Sequence, residues 1–163
     1  MRKSKLRLLD DDRRQEIARV EMTDFCAEDI CYFISDIKKV IGNVSDEYSE
    51  FFNMLDIAGF NYSADGFMLP NLMYIDDLKV HSESCSDISI TLDAIISAAK
   101  LHPNTAGTSK VLIACYPESE NVKRVMRDRC FMTVGNSNLM LLIVDTDRIA
   151  ISGYKPCESP AFM

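Results

Sequence analysis

Residues 71–90 read NLMYIDDLKVHSESCSDISI, and the way this stretch divides decides the architecture. Asn71 to Val80 is rich in apolar residues and alternates from Tyr74 on, which predicts a long strand with Tyr74, Asp76, Leu78 and Val80 on one side. From about Asp87 the apolar positions change period: Ile88, Leu92, Ile95, Ile96 and Ala99 mark the inner face of a helix that reaches Leu101. The residues between strand and helix, His81 to Ser86, contain no glycine and no lysine or arginine. Ser86 or Asp87 is the expected N-cap.

The same two periodicities organise the rest. Ile17 to Met22 (IARVEM) predicts a short strand, and Thr23 is the expected cap of a helix from Phe25 to Ile41, stopped by Gly42. Ser45 caps a second helix whose inner face is Tyr48, Phe51, Phe52 and Leu55, stopped by Gly59. FNYSADGFML (60–69) predicts a hairpin with Gly66 at its turn. KVLIACY (110–116) is continuously apolar, as expected of a strand buried on both faces. Pro117 and Ser119 open a further helix to about Arg129. FMTV (131–134) and NLMLLIV (138–144) predict two strands around a Gly135-Asn136 turn, and RIAISGY (148–154) an added edge. This gives an α/β (α+β) domain over 17–155, with 1–16 as an extension ahead of it and 156–163 as an irregular tail.

Bulk properties exclude several functions. The 163 residues suit one domain that buries roughly 70 % of its unfolded surface. With 18 basic and 25 acidic residues the formal charge is −7, a poor field for nucleic acid unless cations gather on one face. The basic opening MRKSKLRLLDDDRR lacks an apolar core, so no secretory signal is predicted. No apolar run approaches the ~20 residues of a membrane span. The six cysteines form no C-x-x-C pair, and His81 and His102 lack ligand spacing, so reduced thiols, no metal and a cytoplasmic setting are expected.

The order strand, helix, helix, hairpin, long strand, helix, strand, helix, strand, strand is similar to the GNAT-type N-acetyltransferase fold. RVEMTDFCAEDICYFISDI (19–37) resembles that family's opening strand and first helix. YIDDLKVHSE (74–83) looks like its fourth strand, and PESENVKRVMRDRCFM (117–132) like its last helix. The resemblance covers roughly Arg19 to Val144. It implies a mixed, mostly antiparallel central sheet flanked by about four helices, with a V-shaped gap between the 71–80 and 110–116 strands. It also implies acyl transfer from acetyl-CoA or another acyl thioester to an amine. On this pattern Leu78 and Val80 would bond the pantetheine arm through their backbones. Ser86, Asp87, Ile88 and Ser89 would offer backbone amides to the diphosphate.

The departures from the pattern bear on chemistry. The family loop after the fourth strand reads R/Q-x-x-G-x-G/A; here its arginine position falls at Cys85 and its glycines near Asp87 to Ser89. Glu83 and Asp87 place carboxylates where a diphosphate would come, each costing about 1 kcal/mol or more at intermediate dielectric. Aligning Phe131 with the family's Gly-Phe puts Cys130 at the glycine, Ser119 at an asparagine and Met126 at the tyrosine that protonates the leaving thiolate. A thioether has no proton to give, so Met126 is read as a core filler. Tyr116, Cys115 and Cys130 remain as candidate acids, and Asp76 is the candidate base. Asp77 is expected on the opposite side as an ordinary charge, and His81 as a surface histidine.

Three readings follow: a diverged acyl-CoA N-acyltransferase; a non-catalytic GNAT-like interaction module, such as a phage structural or accessory protein (then virion-associated) or a regulatory subunit; and an unrelated α/β binding protein. Catalysis, the acceptor, the protein partner and the oligomeric state are not decided by the sequence.

Overall fold

A computed structural model of the chain describes residues 2–12, 14–25, 46–59, 71–82, 84–101 and 110–146. Its elements are β1 (Arg2–Leu9), β2 (Glu16–Phe25), α1 (Asp46–Ile57), β3 (Asn71–Val80), α2 (Cys85–Lys100), β4 (Lys110–Cys115), α3 (Glu120–Asp128), β5 (Met132–Thr133) and β6 (Met140–Asp145). The strands form one sheet in the order β1-β2-β3-β4-β6-β5. Every pairing is antiparallel except β3 with β4, so the sheet is mixed and mostly antiparallel, as expected. The expected helix over residues 26–41, the hairpin at 60–69 and the edge at 148–154 lie outside the described residues.

The sheet is buried on both faces at its centre. On one face Val20, Met22, Met73, Ile75, Val111 and Ile113 meet Ile88, Leu92, Ile95 and Ala99 of α2 and Val125 and Met126 of α3. On the other, Phe25, Leu72, Tyr74, Leu112 and Ala114 meet Phe51 and Leu55 of α1. β4 feeds both layers in turn, which is why its sequence is apolar without a break. Leu92 and Phe51 are fully enclosed, and truncating such residues to alanine typically costs 2–5 kcal/mol. Gly59, at φ +90°, ends α1 in a conformation that side-chain-bearing residues rarely adopt.

Four expectations are corrected. Thr23 is not a helix cap and Phe25 does not start a helix; both are buried in β2, paired with Tyr74 and Leu72. Thr and Phe are also good strand residues, and sheet pairing wins over the cap motif. Residues 1–16 are not merely an extension: Arg2–Leu9 is a sheet strand, so a hairpin precedes the helices. Third, Tyr74 does not share a side with Leu78 and Val80. Glu21 pairs with Asp77 and Met22 with Ile75, which leaves Asp76 as the extra residue of a β-bulge. The bulge resets the alternation, so Tyr74 joins the α1 layer while Leu78 and Val80 join the α2 layer. Last, the cap of α2 is Ser84, whose side chain accepts from the Asp87 amide; Asp87 lies in the first turn.

Candidate functional site

β3 and β4 run side by side only from Asn71 to Ile75 and from Val111 to Cys115. Beyond Ile75, β3 stays with β2, held through Ala18 opposite Val80. The chain beyond Cys115 turns away through Tyr116 and Pro117 toward α3, and Pro117 has no amide with which to continue a ladder. The divergence leaves a cleft of about 360 Å³. Ile75, Cys115, Ile88 and Val122 give it an apolar lining, and Asp76, Asp77, Lys79, His81 and Glu118 supply its charged and titratable groups. The gap expected between these two strands is therefore present.

Asp76, the candidate base, lines the cleft half-buried. The Thr23 hydroxyl donates to its Oδ2 at 2.5 Å, so β2 fixes the carboxylate of the bulge residue. Asp77 lines the cleft as well and pairs with Lys79 at 3.4 Å. Leu78, Val80 and Ile88 reach the cleft, whereas Ser86, Asp87 and Ser89 are absent from its lining. Glu83 lies outside the described residues.

At the start of α2 the chain caps one of its own donors. The Asp87 amide donates to Ser84 Oγ at 3.2 Å and the Ile88 amide to the Ser84 carbonyl at 3.1 Å. The Ser82 hydroxyl donates to the Asp87 carboxylate, which anchors a negative charge over the helix start. A helix N-terminus attracts anions through unpaired N–H groups and its partial positive charge. Here the Ser84 side chain takes one of those donors, the Asp87 amide, and the Asp87 carboxylate offsets the charge. The Asp87 carboxylate, so held, disfavours a further anion at this helix start.

Among the candidate acids, Tyr116 lines the cleft, with its ring edge-on to Tyr74 at 6.4 Å between centroids. Cys115 lies at the cleft floor, and burial pushes its thiol up to about 12, with Glu118 adding to the rise. It remains a neutral thiol at physiological pH. Cys130 sits apart from the cleft, exposed, just past the C-cap of α3. Met126 is wholly buried, as expected of a core filler. His81 is half-exposed at the cleft rim, its Nε2 2.8 Å from Glu16 Oε1.

Two residues escaped sequence reasoning. Arg124 of α3 reaches across to α2, where its Nη2 lies 3.1 Å from Cys85 Sγ. It brings to the α2 start a cation that the loop itself lacks. Glu16 gathers Arg7 at 2.7 Å, Arg19 at 3.2 Å and His81 at 2.8 Å. No motif flags either residue, because each meets its partners only through tertiary packing.

Among the described residues no group of three or more His, Cys, Asp or Glu is placed to hold a metal ion. No helix among them is long and apolar enough to cross a membrane. No family model, curated protein or solved structure matches the chain.

Proposed function

We propose that the protein is a GNAT-like domain, related to acyl-CoA N-acyltransferases, that keeps an interstrand cleft and has a degenerate coenzyme site. On this reading it works by binding a protein partner, as a structural, accessory or regulatory subunit does, and not by acyl transfer. The observation that carries the reading is the start of α2, where the Ser84 side chain occupies the Asp87 amide and Ser82 holds the Asp87 carboxylate in place. The fold supports the kinship in two places. The one parallel strand pair among the described residues is central and splays beyond Ile75. Cys130 takes φ +67°, as the glycine at the corresponding family position readily would, and Phe131 follows it into the core.

A second reading, an active acyltransferase, is favoured by one contact. Arg124 beside Cys85 offers a guanidinium that an anionic cofactor would use. Asp76 and Tyr116, both at the cleft, would then serve as base and acid.

Thermal unfolding with acetyl-CoA separates the two. A ligand at 100 times its Kd adds about 2.7 kcal/mol, a rise that melting curves resolve easily. The proposal predicts no clear rise in Tm with millimolar acetyl-CoA. A saturable rise, abolished by Arg124→Ala, would establish the second reading.

A further inference from the structure

β1 is an eight-residue strand at the end of the sheet, and among the described residues it has a neighbour on one side alone, β2. Its other edge therefore presents backbone donors and acceptors in the spacing that an added strand would meet. The side chains alternate without interruption: Lys3, Lys5 and Arg7 are exposed, while Ser4, Leu6 and Leu8 are half-buried. Leu6 rests on the α2 layer of the core, so an incoming strand would find apolar surface on that side and cations on the other.

The cationic side extends inward. Arg7 is opposite Arg19, and Arg19 is opposite Lys79, which sets three like charges in one cross-strand row. Like charges directly opposite one another destabilise a sheet. The carboxylates that reach this surface are Glu16, Glu21, Asp77 and, bonded to Thr23, Asp76, against the five cations Lys3, Lys5, Arg7, Arg19 and Lys79. An excess of positive charge thus collects at one sheet edge of a chain whose formal charge is −7.

We infer that the β1 edge docks an extended acidic peptide, one that alternates Asp or Glu with apolar residues and pairs with Arg2–Leu9 as an added strand. Charge complementarity selects this occupant. A second copy of the chain would set its own Lys3, Lys5 and Arg7 against the same residues, so the edge lysines bar self-pairing. A nucleic acid would feel the −7 field of the whole molecule along its length, whereas a short peptide meets only the local surplus. The inference does not involve the cleft.

The test is fluorescence anisotropy at low salt with a seven-residue peptide alternating Glu and Val. Saturable binding is expected, weakened by salt and lost with the Lys-Val counterpart. Lys3→Glu, which faces the neutral Thr23, and Lys5→Glu should each weaken binding by roughly tenfold and admit the Lys-Val peptide. Of two Glu-Val peptides N-methylated at alternate positions, one should fail, because one set of amides must donate to β1. Equal binding of both methylated peptides would reduce the site to a diffuse charge patch and overturn strand addition. Unchanged binding by both variants, tighter binding of a single-stranded oligonucleotide, or no binding of the Glu-Val peptide would each overturn the inference too.

Discussion

Hydrogen bonds from His81 and Arg7, with Arg19 close by, hold the Glu16 carboxyl at about 2 against an ordinary 4.5. A depressed folded-state pKa stabilises the fold above the unfolded value, and that contribution is lost as pH falls through the folded value. Glu16→Gln should therefore be less stable than the parent protein at neutral pH, and the two should converge between about pH 5 and pH 2. Urea melts across that range measure it; a gap that stays constant would mean the charge is not what matters. Thr23 makes the second residue-scale case. Its hydroxyl donates to Asp76 at 2.5 Å, and hydrogen bonds to charged groups contribute about 1.5–3 kcal/mol, so Thr23→Val should cost that much in equilibrium unfolding. Asp76 was legible as a polar residue within a strand. Its bulge and its partner, 53 residues away, were not, because neither has a local signature.

Elements whose apolar residues repeat with one clear period were legible. The extents of Asn71–Val80 and Lys110–Cys115 and the inner faces of α1 and α2 at Phe51, Leu55, Ile88, Leu92 and Ile95 stand where the sequence pattern puts them, although the bulge at Asp76 shifts the sides within Asn71–Val80. β1 was obscured because four basic residues within Arg2–Leu9 resemble a solvated extension, while the period-2 burial of Leu6 and Leu8 depends on β2 lying alongside. The end of α3 shows a different limit. Phe131 N–H bonds the Met126 carbonyl and Cys130 N–H the Arg127 carbonyl, a closure that requires a left-handed residue at Cys130. A residue with a Cβ pays about 1–2 kcal/mol there, partly offset by its lower unfolded-state entropy. Cys130→Gly should accordingly stabilise the protein by about 0.5–1 kcal/mol in denaturant melts, and a loss of stability would contradict that closure.

At the scale of the molecule, one sheet divides two apolar layers, and the departure of β3 from β4 opens the cleft between Asp76–Val80 and Tyr116–Ser119. The gap between these strands followed from the resemblance, but its electrostatics did not. Ser82, Ser84 and Asp87 close on one another locally at the α2 start, while Arg124 arrives from α3, a contact that exists only after the two helices pack. The central claim is that this helix start does not seat a coenzyme diphosphate. The most direct measurement is a titration of the backbone amide NMR signals of Ser84 to Ser89 with coenzyme A. Signals that stay in place up to millimolar ligand are the predicted result; saturable movement of the Cys85 to Ile88 amides would contradict it.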